Sequence, residues 1–352
     1  DGMDVLVREF CINQPVHPND HGIVGQSSND VIPTAIHISA LESIEKKLLP
    51  ALHYLYEALN EKAKAFDGVV KIGRTHLQDA VPIRLGQEFS GYASQIAHGI
   101  KRVESTRPHL AELALGGTAV GTGLNTPKAF PDLAIRKISR LSGIEFTGAP
   151  NRFEALAGRD AVVEASGQLK TVAVSLMKIA NDLRWLGSGP RCGIGEILLP
   201  SLQPGSSIMP GKVNPVIPES TMMLCATVMG NDVAISIGGQ HGNFELNVMM
   251  PMMIDHLLES IRLLTNGCRN LVDRCVKGIE ANRERAASLI EGSLAMVTAL
   301  APKIGYDAAA DIAKESYKTG KTVRELALEK RVLPEDELNR VLDARSQTEQ
   351  SE

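Results

Sequence analysis

The feature that most constrains the fold of this chain is an apolar stripe that runs through residues 246–279. Its members lie three or four residues apart, and nine steps cover 33 residues, a mean of 3.7. This is the period of an α-helix and not that of a β-strand. The stripe therefore predicts one long core helix, with Pro251 in its first turn or at a kink. Its members are Leu246, Met250, Met253, Leu257, Ile261, Leu264, Cys268, Leu271, Cys275 and Ile279.

Further helical stretches precede and follow this stripe. Aromatic residues make up only 4% of the chain, so aliphatic residues and Met must fill the core, which favours helices over strands. Beyond residue 280 the predicted helices become shorter and more charged. The long stretches are 29–66, 85–115, 151–185 and 218–237, and the short ones are 306–317, 322–330 and 334–344.

These patterns predict an all-α protein. We expect a central long-helix bundle over residues 28–280 and a small C-terminal helical domain over 281–352. Helices of 30 or more residues exceed the usual length of about 11 or 12. Their surplus apolar surface must be buried somewhere, which favours oligomerisation.

Charge and composition argue against several classes of protein. Lys and Arg number 37 and Asp and Glu 41, for a net charge of −4, so the basic surplus of a nucleic-acid-binding protein is missing. No run of about 18 uncharged apolar residues predicts a membrane span. The acidic N-terminus lacks a signal-peptide pattern. Five scattered cysteines without a Cys-x-x-Cys pair favour a reducing compartment, and we expect the cytoplasm.

The most informative segment is residues 205–215, which read Gly-Ser-Ser-Ile-Met-Pro-Gly-Lys-Val-Asn-Pro. Its prolines forbid a helix, and its glycines give the backbone freedom. A loop between two helical stretches that is rich in Ser, Lys and Asn is a candidate functional site. The alternative, a polar connector between helices, stays open from the residues alone.

A second polar cluster precedes the first helical stretch and contains Ser27, Ser28, Asn29 and Asp30. Residues of these types are preferred helix N-caps. The same hydroxyl groups and the free N–H groups of a helix start would also bind a carboxylate. The segment does not decide between these two roles.

Histidines occur in two further polar clusters. His76 follows Arg74 and Thr75 and lies outside any apolar stripe, which weakens its interpretation as a core residue. The segment 17–21, His-Pro-Asn-Asp-His, has the residue types of a metal site. However, the chain has no His-x-x-x-His motif and no thiolate pair, so we expect no metal.

Together these motifs resemble the fumarase/aspartase superfamily, and within it the class II fumarases. The superfamily signature Gly-Ser-Ser-x-Met-Pro-x-Lys-x-Asn is complete at 205–214. Thr75-His76 resembles the fumarase version of its motif, where aspartases carry Gln in place of the histidine. The segments 86–92 and 243–248 are also similar to fumarases. The resemblance extends over about 17–343 and begins after roughly the first hundred residues of such proteins, so we expect residues 1–27 to be a remnant of an N-terminal domain.

The resemblance implies a long-helix bundle that assembles as a homotetramer, with each active site shared between three chains. It also implies a reaction, the reversible addition of water to fumarate to give L-malate through an aci-carboxylate intermediate. The substrate is a small dicarboxylate, and no cofactor is needed, because the elimination requires only acid, base and oxyanion stabilisation.

The resemblance further implies roles for individual residues. Ser206 is similar to the loop serine that removes the carbon-bound proton, Lys212 to a residue that stabilises the developing charge, His76 to the residue that handles the hydroxyl group, and Glu219 to its orienting partner. The expected substrate-binding residues are Ser27, Ser28, Asn29, Thr75, Ser207 and Asn214. A peripheral anion site is expected at His17, Asn19 and Asp20.

Two alternatives remain at this point. An aspartate ammonia-lyase shares the signature loop, although Gln at position 76 would have favoured it. A truncated, inactive structural form would keep the helical assembly and leave the carboxylate pocket incomplete.

Overall fold

The computed structural model describes residues 25–349, and helices dominate it. The predicted all-α class is confirmed. The α-helices are α1 (Ser28–Ser43), α2 (Leu49–Ala65), α3 (Leu85–Glu104), α4 (Arg107–Leu110), α5 (Phe130–Ser142), α6 (Arg152–Ala157), α7 (Asp160–Leu186), α8 (Val216–Gly239), α9 (Met250–Arg274), α10 (Arg283–Gly292), α11 (Ala301–Ile304), α12 (Tyr306–Thr319), α13 (Val323–Glu329) and α14 (Glu335–Val341).

Strands are short and pair two by two. The antiparallel hairpin of β1 and β2 is the longest pair, and β3 with β4 is parallel. The pairs β5 with β8 and β6 with β7 are antiparallel. The strands are β1 (Val70–Thr75), β2 (Gln78–Arg84), β3 (Glu112–Leu113), β4 (Thr147–Gly148), β5 (Ile197–Leu198), β6 (Gly242–Asn243), β7 (Leu246–Asn247) and β8 (Glu280–Ala281).

The long core helix predicted from the apolar stripe is α9, and three of the ten stripe positions, Leu246, Cys275 and Ile279, lie outside it. Every stripe position from Met250 to Ile279 is buried, and only Leu246, which lies in β7, is half-buried. Pro251 lies in the first turn of α9, where its missing N–H leaves no helical hydrogen bond unmade. The helical period of the sequence therefore corresponds to the buried face of this helix.

The predicted 29–66 stretch forms two helices joined by a π-helical turn. α1 passes into the π-helical residues Ile44–Leu48 and then into α2. Pro50 lies two residues after the π-helical turn and cannot donate the hydrogen bond that an α-helix requires of it. A wider turn at this place absorbs the disruption, as π-bulges do elsewhere.

Two of the predicted long helices are shorter than expected. The 85–115 helix ends at Glu104, and Pro108 lies in the first turn of the separate short helix α4. The 151–185 helix is interrupted between α6 and α7 at Gly158, whose backbone is extended. A side chain at Gly158 would lie 2.6 Å from a carboxylate oxygen of Glu154, at the mobile end of that side chain.

The chain divides into two compact units, and the divisions fall inside long helices. The first unit comprises the residues up to Leu52, His98–Ser175 and Met223–Gly267. Within it, buried Asp232 of α8 accepts hydrogen bonds from Ser166 and Lys170 of α7, at 2.8 and 2.6 Å. These bonds fix the register of the two helices.

The second unit comprises His53–Ala97, Leu176–Met222 and the residues from Cys268 onward. In it the C-terminal helices form an apolar cluster that also includes Ile72 of β1. Arg84 of β2 donates to Thr348 near the C-terminus at 3.1 Å. The division of the chain at residues 28 and 280 stays a prediction.

Helix α8 is long and apolar enough to cross a membrane, judged by length and composition alone. Core helices of globular proteins pass the same test, and one third of its most apolar window is buried in the chain. Glu219 and Asp232 interrupt its apolar sequence.

Two glycines of α3 provide a matched test of this packing. A Cβ at Gly86 would lie 2.4 Å from the carbonyl oxygen of Ala63, whereas Gly91 has no atom within 4 Å. We expect Gly86→Ala to lower the free energy of unfolding by about 1–3 kcal/mol through overpacking. Gly91→Ala should raise it by about 0.5–1 kcal/mol, because alanine is the better helix former. Urea unfolding measures both, and equal effects would contradict the packing at Gly86.

Candidate active site

The 205–214 loop lies between β5 and α8 and is closed at its base by hydrogen bonds. The N–H of Gly205 donates to the carbonyl oxygen of Lys212 at 2.7 Å, and Asn214 Nδ2 donates to the carbonyl oxygen of Gly205 at 3.1 Å. A Cβ at Gly205 would lie 2.5 Å from the Lys212 oxygen, so only glycine permits this approach. Gly211, the residue before Lys212, has a φ of +81°, a backbone conformation that favours glycine. The loop therefore has a defined shape that brings Lys212 next to the residue before Ser206.

The Ser206 hydroxyl has a specific environment within this loop. Its Oγ accepts hydrogen bonds from the backbone N–H groups of Ile208 and Met209, at 3.2 and 3.1 Å. Serine side chains often accept local backbone N–H groups in this way in turns. Here the turn directs two N–H dipoles at one oxygen and would stabilise negative charge on it.

A cleft of about 500 Å³ lies beside the loop in the second unit. Lys212, Asn214 and Glu219 line it, so three of the predicted site residues share one concave surface. Glu219 lies in the first turn of α8, where the helix dipole favours a carboxylate. The other lining residues are Arg184, Gly187, Ser188, Gly189, Pro190, Ile197, Leu198, Leu199, Gly211, Val213 and Pro215.

His76 lies at the exposed tip of the β1–β2 hairpin, which the sequence did not predict. Thr75 pairs with Gln78, so the turn consists of His76 and Leu77 alone. Both have positive φ, at 56° and 60°. This is the geometry of a type I′ turn, which usually takes Asn-Gly because other residues are strained there. Strain of this kind is concentrated at functional sites.

A buried cluster of charges lies behind this hairpin. Glu196, fully buried, accepts two hydrogen bonds from the guanidinium group of Arg74, at 2.8 and 3.2 Å. Lys71 of β1, 1% exposed, lies 3.3 Å from Glu196 and 3.3 Å from Glu88 of α3. Burial raises the pKa of Glu88, and the Lys71 ammonium opposes that shift. Sequence reasoning missed this cluster, because its members are dispersed between residues 71 and 196.

The predicted Ser27–Asp30 cluster forms the start of α1. Ser27 is the N-cap, and its Oγ accepts the N–H of Asn29 at 3.2 Å, so the capping role is confirmed. Asp30 is completely buried, and its carboxylate accepts the N–H groups of Ser27, Gly116 and Thr118 at 2.9–3.1 Å. The helix start is thereby fixed to the glycine-rich 116–125 loop.

Asn29 reinforces this attachment. Its Nδ2 donates to the carbonyl oxygen of Ala119 at 2.8 Å, whereas Ser28 is exposed. Sequence reasoning named Asn29 for substrate binding and considered Asp30 only as a member of the capping cluster. Two of the three partners of Asp30 are backbone N–H groups 86 and 88 residues away, which no local pattern identifies.

The predicted site residues thus fall into three groups. Ser206, Ser207, Lys212, Asn214 and Glu219 belong to the signature loop or the start of α8, and Thr75 and His76 belong to the hairpin tip of the same unit. Ser27, Ser28 and Asn29 belong to the first unit. The peripheral anion residues His17, Asn19 and Asp20 lie outside the described residues. Between residues 25 and 349, no group of three or more His, Cys, Asp or Glu side chains could hold a metal ion.

A second cleft, of about 350 Å³, lies within the first unit. In it, burial and the nearby Arg159 charge lower the pKa of His37 to about 4, and the His37 Nδ1–H donates to the carbonyl oxygen of Glu112 at 2.7 Å. Burial lowers the pKa of Arg159 to about 10. The carboxylates of Glu112, Glu154, Asp160 and Glu164 line the same cleft. Its charge therefore suits an anionic ligand less well than the cleft at Lys212.

Comparison with known proteins finds families that match most of the chain. A family model described as Lyase matches residues 3–230, and a model described as Fumarase C C-terminus matches residues 296–348. The fold and the signature loop therefore define a lyase built on a long-helix bundle.

Individual relatives show which kind of lyase the chain is similar to. The chain is 56% identical to the class II fumarate hydratase of Nitrosomonas europaea over 334 residues, which are 95% of the chain and 72% of the relative. It is 55% identical to the mitochondrial fumarate hydratase of Mus musculus, over 93% of the chain and 64% of the relative. The crystal structure of class II fumarase from Schistosoma mansoni matches with a TM-score of 0.91 at 41% identity, over 95% of this chain and 73% of that one.

A crystal structure titled fumarate lyase:delta crystallin from Brucella melitensis, bound to cobalt, matches with a TM-score of 0.92 at 46% identity. It covers 96% of this chain, and this chain covers 73% of it. The chain belongs to the class II fumarase family.

The Asp30 carboxylate can be tested without reference to activity. Asp30→Asn replaces one acceptor oxygen by an amide that faces N–H groups. We expect the free energy of unfolding to fall by about 1–3 kcal/mol, the cost of unsatisfied buried donors. Asp311→Asn, at an exposed position, is the control and should change it by less than about 0.5 kcal/mol. Equal unfolding curves for the two variants would contradict the anchoring role of Asp30.

Proposed function

We propose that this protein is a fumarate hydratase that adds water reversibly to fumarate to give L-malate. The observation that carries the proposal is the Ser206 hydroxyl, which receives two backbone N–H groups in a loop that contains the whole family signature. The relatives named as class II and mitochondrial fumarate hydratases, at 54–56% identity, support the same substrate, a small dicarboxylate.

In the dehydration direction, Ser206 as an alkoxide removes a proton from C3 of malate. The C–H electron pair moves into the adjacent carboxylate and gives the aci-carboxylate intermediate. The pair then forms the C2–C3 double bond while the C2–O bond breaks, and the hydroxyl group leaves as water after it gains a proton. A serine hydroxyl is a weak base, so the N–H groups of Ile208 and Met209 matter, because they favour its charged form.

The intermediate carries an additional negative charge on one carboxylate. We propose that Lys212 and Asn214, together with free N–H groups of the loop, stabilise this charge. Asn214 Nδ2 has a second hydrogen besides the one given to Gly205, and Lys212 is exposed to the cleft. Preorganised donors of this kind contribute most where water is excluded.

The remaining assignments are proposals of the same kind. His76 would protonate the departing hydroxyl group, and Glu219 would orient and polarise it. The two substrate carboxylates would be held by Ser27, Ser28, Asn29, Thr75 and Ser207. A peripheral anion site would use His17, Asn19 and Asp20. This route needs acid, base and oxyanion stabilisation, and we propose that it runs without a cofactor.

We also propose that the enzyme acts in the cytoplasm as a homotetramer, with active sites that combine residues of several chains. Helix α8 supports the assembly. It buries one stripe and leaves the opposite face exposed and apolar or small, at spacings of three and four residues. That face consists of Met223, Ala226, Gly230, Val233 and Ile237. We propose that it packs against a second copy of the chain, and Gly230 would allow close approach of the helices.

The activity prediction uses absorbance of the fumarate double bond after addition of L-malate. Removal of a general base or acid typically costs about 10²- to 10⁴-fold in rate. We therefore expect Ser206→Ala and His76→Asn to lose activity to that degree. The matched control is Ser201→Ala, an exposed serine of the same segment that has no proposed role.

The outcome also discriminates between the alternatives. Full activity in both Ser206→Ala and His76→Asn would overturn the residue assignment. Ammonia release from L-aspartate without turnover of malate would identify an ammonia-lyase instead. An assembled wild-type protein with neither activity would identify the inactive structural form.

The assembly prediction uses sedimentation velocity. The wild-type protein should sediment at four times the 37.9 kDa chain mass. Val233→Glu should give smaller species, because it places an unpaired charge in the apolar contact. Tyr317→Glu, an exposed apolar residue of α12, is the control and should leave the mass unchanged. A wild-type monomer, or a Val233→Glu tetramer, would contradict the assembly face.

A further inference from the structure

The hairpin tip that carries His76 is weakly held by its own strands. The register of β1 and β2 is irregular between Ile72 and Arg74, and only the pairs Arg74–Asp79 and Thr75–Gln78 lie beyond that irregularity. A Cβ at Gly73, within the irregularity, would lie 2.8 Å from the Val81 carbonyl oxygen. Only two residue pairs connect the strained two-residue turn to the irregular part of the hairpin. The turn therefore needs support from outside the hairpin.

Glu196 supplies that support from a backbone that is itself fixed. Its N–H donates to the carbonyl oxygen of Leu186 at the end of α7, and its carbonyl oxygen accepts the N–H of Asn282, both at 2.9 Å. The residues before it are held as well, because Arg285 donates to the carbonyl oxygens of Gly193 and Ile194. The carboxylate of Glu196 therefore projects from a rigid segment.

This carboxylate holds the last part of β1 at two points. Its two oxygens pair with the Arg74 guanidinium in a bidentate contact, the strongest and most directional form of ion pair. One oxygen also lies 3.3 Å from the buried Lys71 ammonium. Arg74 is two residues before His76, so its position sets that of the turn.

We propose that Glu196 is a positioning residue for His76, acting through Arg74. The assignment rests on the proposed function, in which His76 handles the hydroxyl group of malate. Glu196 touches no substrate atom in this role. It keeps the imidazole where the C2–O bond breaks, and it leaves proton removal by Ser206 to another part of the site.

The two half-reactions separate this role from a purely structural one. Wild-type enzyme in deuterated water should exchange the C3 hydrogen of malate, which reports Ser206. In ¹⁸O-labelled water it should exchange the hydroxyl oxygen, which reports the step assigned to His76. Displacement of a catalytic group by about 1 Å can cost 10²-fold. We expect Glu196→Gln to lower oxygen exchange about 10- to 100-fold and hydrogen exchange by less than about 3-fold.

Further variants test the pathway through Arg74. Arg74→Gln should reproduce the effect, and the double variant should be no worse than either single one, because both remove the same contact. Arg74→Lys keeps the charge but loses the bidentate fork, so it should fall between wild type and Arg74→Gln and remains informative if Glu196→Gln does not fold. Asp232→Asn, another buried and ion-paired carboxylate, is the control for stability and should change neither exchange rate.

The assignment is overturned if the hydrogen and oxygen exchange rates fall equally in Glu196→Gln, if neither falls, or if the effects of the two single variants multiply in the double variant. Failure of the proposed function is recognised separately, since wild-type enzyme would then catalyse neither exchange, and the assignment would fall with it.

Discussion

Burial of one apolar stripe along each long helix is the constraint on which the rest of the structure depends. The stripe of α9 is buried from Met250 onward. The signature loop connects β5 to α8, and β5 itself follows the end of α7 closely. The helices cannot rotate without exposing their stripes, so the ends of the loop have fixed positions. With its ends fixed, a loop with several glycines and prolines can keep one shape. Its own hydrogen bonds, between Gly205 and Lys212 and between Asn214 and Gly205, need only to close its base.

Within this apolar frame, three buried carboxylates determine which segments meet. Asp30 holds the 116–125 loop against the start of α1, Asp232 joins α7 to α8, and Glu196 holds the end of β1. A buried carboxylate is costly unless donors surround it, and each of these has at least two. This cost favours the observed packing, because a packing that separated one of these carboxylates from its donors would leave a buried charge unpaired. Two of the three lie next to segments that carry proposed site residues.

The features that could be predicted from the sequence are those that depend on the periodicity of apolar residues and on composition. The core face of α9 followed from the spacing of its apolar residues, and the all-α class followed from that spacing and from the scarcity of aromatic residues. The candidate loop followed from its prolines at 210 and 215 and from its polar residues. The sequence did not predict the break at Gly158, because a glycine within a helical pattern is often tolerated. It also missed the β1–β2 hairpin, because the segment around His76 was interpreted only as a polar cluster. Lys71 is buried between Glu88 and Glu196, and Arg74 is half-buried against Glu196, which lies 122 residues away in the sequence.

The two candidate catalytic segments obtain their shapes in different ways. In the signature loop the residue at positive φ is Gly211, which carries no side chain, and Ser206 is free of such strain. At the hairpin tip His76 and Leu77 both have positive φ, and no other adjacent pair of non-glycine residues does so between residues 25 and 349. An Asn-Gly turn would relieve this strain but would remove the imidazole. The hairpin therefore keeps a strained histidine at a cost in stability, and the bidentate ion pair two residues before it opposes relaxation of the turn. A strained backbone that is stabilised by a neighbouring ion pair is typical of a side chain that is held in position for a catalytic role.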